Sequence, residues 1–407
     1  MLSKLFMRDL SYDSRKFVQL QVFFTGMNAI LALFVNVFLL SAFSSTSGEV
    51  LLYNAIMALV QPVSMILAMK LEKCKNALYT QRMGFVFYGL GLVLLSVFGE
   101  KIASLYPLFA VILSFGAGFY YSIYSIQMLY YTNDSNRDKI AGAIGFLGSV
   151  ISILLPLISG ILLSVFGAEI GYKIVFAIAA AFAVFALLTN KYLSPLPKRD
   201  EKTLTSKVAK TIFQSKKGRL IMIANGFSNC RSATIPIFIT LLFYNLAPDE
   251  LLISVNTVIN YAVALLGSGV YSVLVKSENR VKASVIAAFT VAVPVLFMLF
   301  GLNIALIMVF NAICGFFTTF MGTPVLNVHF KVMEELGLGS EYGAQIHLVR
   351  ELFVSAGRIL GLVLVWAVPQ TNTGAVVVLI CMAAMELINS AILHRIEKYK
   401  IIYKKTP

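Results

Sequence analysis

Long apolar runs, each of about 20 residues, recur from one end of the chain to the other. As a helix, that length crosses roughly 30 Å of hydrocarbon. A bilayer core offers no water to bond exposed amides, so each run must satisfy its own backbone, and a helix does. Twelve runs are read, at 17–43, 50–70, 82–99, 105–131, 139–166, 170–192, 219–246, 250–275, 282–302, 304–331, 342–368 and 374–395. The expected fold class is an all-α membrane protein with 12 transmembrane helices. A β-barrel would show short segments of alternating hydrophobicity, and the sequence has none. A water-soluble chain of 407 residues could not wet a surface drawn from 59% hydrophobic and 13% charged residues.

A net charge of +14 would suit a nucleic-acid partner, but the placement of the charges is a topology signal. Of the 33 Lys and Arg residues, 28 fall in loops or tails on one side of the spans. Lys101 and Lys173 fall on the other side, and Arg231, Arg350 and Arg358 lie inside spans. The crowded side is expected to be cytoplasmic, which puts both termini in the cytoplasm and the protein in the cell membrane, with no nucleic-acid partner. Cys74 falls in a cytoplasmic loop and Cys230, Cys314 and Cys381 in spans, so no disulfide framework is implied. The first 16 residues are too polar for a signal peptide and the first apolar run too long for its core, so the first span is expected to be retained.

The longest loop, 194–218, divides the spans six and six, giving bundles at 1–193 and 219–407. Its sequence, SPLPKRDEKTLTSKVAKTIFQSKKG, places Leu204, Val208, Ile212 and Phe213 on one side of a short basic helix. Such a helix is expected to lie on anionic lipid, with regulatory docking as the alternative. The two halves also match internally. Asn54, Lys70 and Glu72 correspond to Asn260, Lys276 and Glu278 at an offset of 206, and Gly118-Phe119 to Gly315-Phe316 at an offset of 197. A duplicated bundle is the arrangement many transporters use.

In its six plus six spans, cytoplasmic termini and basic central loop, the whole chain resembles the major facilitator superfamily. The family's loop between spans 2 and 3 carries a G-x-x-x-D-R-x-G-R-R pattern; here MKLEKCKNALYTQRMG keeps a basic loop and Gly84. The counterpart VKSENRVKA in the second half is equally degenerate. Span 5, GAIGFLGSVISILLPLISG, looks like the glycine-rich span of family exporters through Gly142, Gly145, Gly148, Pro156 and Gly160. The resemblance implies two pseudo-symmetric six-helix bundles, alternating access, and a central cavity lined by spans 1, 4, 7 and 10.

Those four spans carry the polar stripes. Gln21, Thr25, Asn28 and Asn36 share one side of span 1, and Tyr120, Tyr124, Gln127 and Tyr131 one side of span 4. Span 7 holds Asn225, Ser228, Asn229, Arg231 and Ser232, and span 10 holds Asn311, Thr318, Thr319 and Asn327. Amides facing lipid would be costly, so a hydrated pathway and helix-to-helix hydrogen bonding are the two readings of such stripes. The expected substrate-binding set is Arg231, Asn28, Asn36, Tyr120, Tyr124, Gln127, Asn229 and Asn311. The tyrosines offer flat apolar faces with hydroxyl tips, suited to an amphiphile or a sugar ring. Arg231 lies near mid-membrane, stays charged, and needs a counter-ion or an anionic ligand.

The stretch AQIHLVRELFVSAGRILGLVLVWAVP is long enough to span yet holds His347, Arg350, Glu351 and Arg358. An ionisable group at the centre of a span costs roughly 2.5–3.5 kcal/mol on insertion scales, so it faces a cavity or a partner. Helical spacing puts His347, Glu351, Ser355 and Arg358 on one side and Arg350 elsewhere, at a shallower depth. Glu351, His347 and Arg358 are the expected proton-coupling set. Seven residues, or roughly 10 Å of rise, separate Glu351 from Arg358, so they are expected to pair through a bridging group. Glu386 is the alternative partner, and a permanent salt bridge the alternative role for Glu351. The spans of the first half hold no acidic residue, so a proton site is expected in the second half.

No HExxH, GxSxG or P-loop pattern occurs, and the three histidines are far apart, so neither an enzyme nor a nucleotide-driven pump is expected. No cofactor or metal is expected either; His347 and Glu351 share a face, but no third ligand is evident. A repeated filter or charge ring, which a channel needs, is missing. The expected function is a monomeric secondary transporter in the lipid bilayer, with a small-molecule substrate and protons as coupling ion. Export of an amphiphilic or anionic compound by proton antiport is the first expectation. Uptake of a sugar, nucleoside or organic anion, or flipping of a glycolipid, is the alternative.

Overall fold

The structure, a computed structural model, describes residues 10–43, 47–131, 137–196, 205–276, 278–338, 342–368 and 371–399. Twelve long helices and one short one account for nearly all of them. They are α1 (Tyr12–Ala42), α2 (Ser47–Cys74), α3 (Ala77–Phe98), α4 (Tyr106–Tyr130), α5 (137–166), α6 (168–191), the short α7 (Thr205–Gln214), α8 (Lys216–Leu246), α9 (Glu250–Leu274), α10 (Arg280–Phe297), α11 (Ile304–Glu335), α12 (Gly343–Ala367) and α13 (Asn372–Lys398). Stretches of 3-10 helix, Gly99–Leu105 and Met298–Phe300, precede α4 and follow α10.

The helix ends follow local chemistry. Ser11, Asn76, Asn303 and Thr371 cap α1, α3, α11 and α13, each side chain accepting from an amide three residues on. Arg395 and Lys398 sit in the last turn of α13, where cations suit the helix dipole. α5 and α6 form a continuous run broken only at Gly167, whose φ of 71° and ψ of 171° are open to glycine and strained for other residues. The sequence boundary at 166–170 falls on this residue.

Nine helices among the described residues are long and apolar enough to cross a membrane, α5 and α6 counting as one. The two long helices outside that set are α8 and α12, which carry Arg231 and Glu351. Large apolar side chains stand outward, among them Phe300 (91% exposed), Val273 (78%) and Trp366 (72%). Lipid tails cover such a surface, which water would not tolerate.

The chain forms two compact units, Met1–Asp200 with Ile237–Ala262, and Glu201–Pro236 with Val263–Pro407. In the first, α1 packs along the α5–α6 run, α2 against α4, and α3 against α4. Phe24 stacks on Tyr120 at 3.5 Å between ring centres, and Phe38 meets Phe176 edge-on. Gly118 of α4 lies so close to the Gln61 carbonyl and Ser64 of α2 that a Cβ there would collide. The Ser64 hydroxyl donates to the Ser114 carbonyl at 3.0 Å across the same crossing. Gly160 of α5 packs against Ser254 of α9 in the same way, whereas Gly142 and Gly145 face open space. Of the span-5 glycines, then, Gly160 holds a tight contact.

In the second unit α10 packs against α11 and α13, and α7 against α12. Here the structure corrects the expectation for the central segment. Val208 and Ile212 are buried in a core with Ile221, Val325 and Val332, and Phe213 meets Phe353 of α12 at 5.8 Å. The apolar side of α7 therefore faces protein rather than lipid; Leu204 lies outside the described residues. Gly218 makes the docking close, because a Cβ there would strike the Ile212 carbonyl at the tight α7–α8 turn. Gly267 of α9 meets the Phe316 carbonyl of α11 with the same intolerance of a side chain. Gln61 and Gly267 are 206 residues apart, Phe119 and Phe316 197. The offsets that relate the halves in sequence thus also relate the tight crossings of α2 with α4 and of α9 with α11.

Candidate functional site

Each unit gathers its own polar residues. In the first, Asn36 of α1 is buried, its Oδ1 accepting from Asn54 Nδ2 of α2 at 2.8 Å and its own amide donating to the Ala32 carbonyl. The hydroxyl of Tyr120 donates to Gln21 Oε1. Tyr124, half-buried, faces Phe17 and Tyr120 at 6.3 and 6.1 Å between rings, and Asn28 is also half-buried on α1. Tyr120, Tyr124 and Gln21 therefore converge between α1 and α4, with Tyr120 buried and bonded from helix to helix.

Gln127 is placed differently. It is fully buried and exchanges two hydrogen bonds with Gln81 of α3, Nε2 to Oε1 at 2.7 Å in each direction. Asn190 of α6 donates to the same Gln81 oxygen at 2.6 Å, and Arg82 Nε donates to Asn190 Oδ1 at 2.7 Å. The amide of Gln127 is engaged within the bundle, joining α3, α4 and α6, rather than left for a solute. Gln81 and Asn190 carry no signal in the sequence, because each stands alone in its own segment; only packing makes them a cluster.

The second unit holds the charges. Arg358 Nη1 donates to Glu351 Oε1 at 3.1 Å, with Glu351 buried and Arg358 28% exposed. This direct ion pair corrects the expectation of a bridging group: the long arginine stem covers the two turns that the helix rise suggested it could not. Arg350, on another side of α12 as expected, donates through Nε to Asn225 Oδ1 of α8 at 2.7 Å. Asn225 also meets His329 Nδ1 of α11 at 3.4 Å. His347 lies one turn before Glu351 and is largely enclosed. Asn225 and His329 are thus further members of the polar set.

Arg231 is 6% exposed, and its Nη2 donates to Cys314 Sγ of α11 at 3.3 Å. Among the described residues no carboxylate stands within ion-pair distance of it. Glu386 of α13 is 2% exposed and follows Met385, whose Sδ meets Cys230 Sγ of α8 at 3.0 Å; among the described residues it forms no ion pair with Arg358, the alternative pairing. Asn229 donates to the Asn225 carbonyl at 2.9 Å, and Asn311 is buried on α11.

The helices bearing these groups meet closely. Gly357 of α12 lies against the Gly226 carbonyl of α8, and Gly361 against the Cys230 carbonyl and the Thr234 hydroxyl. Glycines four residues apart let two membrane helices approach to backbone contact. That contact holds Arg231 and Glu351 on neighbouring, tightly fitted helices.

Known proteins agree with this architecture. A family model, the Major Facilitator Superfamily, matches residues 17–362. An uncharacterized protein of Bacillus subtilis (strain 168), YqgE, is 22% identical over 331 residues, which cover 81% of this chain and 76% of YqgE. An uncharacterized protein of Geobacillus stearothermophilus, encoded in the sodM 3' region, is 25% identical over 147 residues, 36% of this chain and 68% of that protein. Among solved structures, the nucleoside transporter NupG superposes with a TM-score of 0.68 at 12% identity, covering 96% of this chain and all of NupG. The E. coli fucose:proton symporter FucP, as a variant, gives 0.63 at 12% identity, covering 93% and 98%. At such identities the likeness concerns the fold. With its family match over 17–362 and its twelve long helices, the chain belongs to the Major Facilitator Superfamily, a multi-pass membrane transporter.

Proposed function

We propose that the protein is a proton-coupled secondary transporter of a small anionic or amphiphilic solute in the cytoplasmic membrane, working as a monomer with both termini in the cytoplasm. The six-helix halves, 1–193 and 219–407, rock about a central site by alternating access, joined by 194–218. The observation that carries the coupling is the Glu351–Arg358 pair on α12, with its carboxylate buried. A proton on Glu351 removes the charge that holds Arg358, which must then find another acceptor, either a solute oxygen or a carbonyl of a rearranged helix. Loading and unloading that proton biases two arrangements of the same helices. His347, one turn away, is positioned to relay it.

Two directions follow. Export by antiport operates where solute and proton exclude one another at the site. Uptake by symport operates where they assist one another, and it draws support from the fold shared with the E. coli fucose:proton symporter. The experiment is flux in proteoliposomes with an imposed pH gradient and an internal pH dye, using nucleosides, hexoses and organic acids as solutes. Glu351→Gln is expected to abolish gradient-driven accumulation while leaving downhill exchange. Undiminished accumulation in that variant removes Glu351 from the coupling role, and the sign of the pH change gives the direction.

A further inference from the structure

Resting on the proton-coupled reading and naming its solute class, we propose that Glu386 is a resident counter-anion for Arg231, displaced by a solute carboxylate once Glu386 takes up a proton.

The geometry leaves Arg231 poorly matched. A guanidinium buried in a span keeps its charge and presents five donors. Its hydrogen-bond partner here is a thiol, Cys314 Sγ, a weak acceptor. A carboxylate stands on the facing helix: Glu386 follows Met385, whose Sδ accepts from the Sγ of Cys230, the residue before Arg231, at 3.0 Å, and among the described residues it makes no ion pair with the guanidinium. A carboxylate ligand would fit the guanidinium fork with two parallel hydrogen bonds, which the thiol does not.

Asn389 supplies the second observation. One turn along α13 it donates through Nδ2 to Glu386 Oε1 at 3.3 Å, while its own Oδ1 is buried and has no hydrogen-bond donor. Asn389 is fully buried, so that acceptor is costly where it stands. An ionised Glu386 only accepts and does nothing for it; a protonated Glu386 carries an O–H that Asn389 Oδ1 can receive. The surroundings therefore provide for two states. The charged carboxylate compensates Arg231 and leaves Asn389 unsatisfied. The protonated carboxyl satisfies Asn389 and leaves Arg231 open to an external anion. Among the described residues, the charged and titratable groups that act on Glu386 are Arg231 from α8 and Cys314 from α11. From α10, which also packs on α13, Ser284 meets Ser390 at 3.1 Å.

The sign follows. An anion binds here together with a proton, so the two move as one load, which is the symport direction. The test uses the full chain in lipid nanodiscs and benzoate as probe carboxylate, by isothermal titration between neutral and mildly acidic pH, where benzoate stays ionised. Wild type is expected to bind benzoate more tightly as pH falls and to take up a proton on binding, seen by comparing buffers of different ionisation enthalpy. Glu386→Gln, which mimics the protonated side chain, is expected to bind about tenfold or more tightly at neutral pH, without proton uptake. Arg231→Gln is expected to lose binding in either background. Binding without proton uptake in wild type, uptake persisting in Glu386→Gln, no gain of affinity in that variant, or no benzoate binding by either protein overturns the proposal. The wild-type measurement stands even where a variant fails to fold. No gradient enters the assay, so its failure leaves the role of Glu351 untouched, and loss of flux in Glu351→Gln leaves this result untouched.

Discussion

Gln81 and Gln127 show what a single residue does in this bundle. Their reciprocal amide bonds, with Asn190 sharing the Gln81 oxygen, satisfy buried groups that neither water nor lipid can reach. Replacing Gln127 with Leu strands the Gln81 amide, which costs about 1–3 kcal/mol; thermal unfolding in detergent is expected to show a lowered Tm. A variant with unchanged Tm would place no weight on the pair. At this scale the sequence was partly readable. Helical spacing put Tyr120, Tyr124 and Gln127 on one face, but it did not tell that α3 presents Gln81 to that face. In the same way it set Glu351 and Arg358 on one side of a helix, and misjudged their contact by counting backbone rise without side-chain reach.

Among the elements, α12 was legible as the helix around which charge collects, because ionisable residues inside an apolar run are conspicuous. Its partner was not: Gly357 and Gly361, spaced one turn apart, mark a face open to close approach, and only the structure shows that α8 fills it. The close fit to α8 makes a prediction. Gly361→Leu pushes a side chain into the Cys230 carbonyl and the Thr234 hydroxyl, an overpacking that costs about 1–3 kcal/mol. A lowered Tm together with reduced flux is expected, whereas Leu360→Ala on the exposed side should leave Tm nearly unchanged. The fate of α7 was not legible. An amphipathic helix with basic residues reads the same whether its apolar side meets lipid or protein, and only the buried Val208 and Ile212 decide it.

For the whole molecule, twelve crossings imply that the two ends share a compartment. Accessibility of tags at both ends in intact and permeabilised cells is expected to place each in the cytoplasm, and ends on opposite sides would defeat the twelve-span reading. The count was readable because apolar length is fixed by the thickness of the bilayer; pairing between helices was not, since it depends on which small residues meet. The crossings at Gly118 and Gly267 place the same vacancy on different helices. In the first half the glycine sits on α4 opposite Gln61; in the second, α9 carries Gly267 while Gly315 stands where Gly118 would be. The matched crossings therefore tolerate bulk differently: a methyl group is shut out of α4 in the first half and out of α9 in the second.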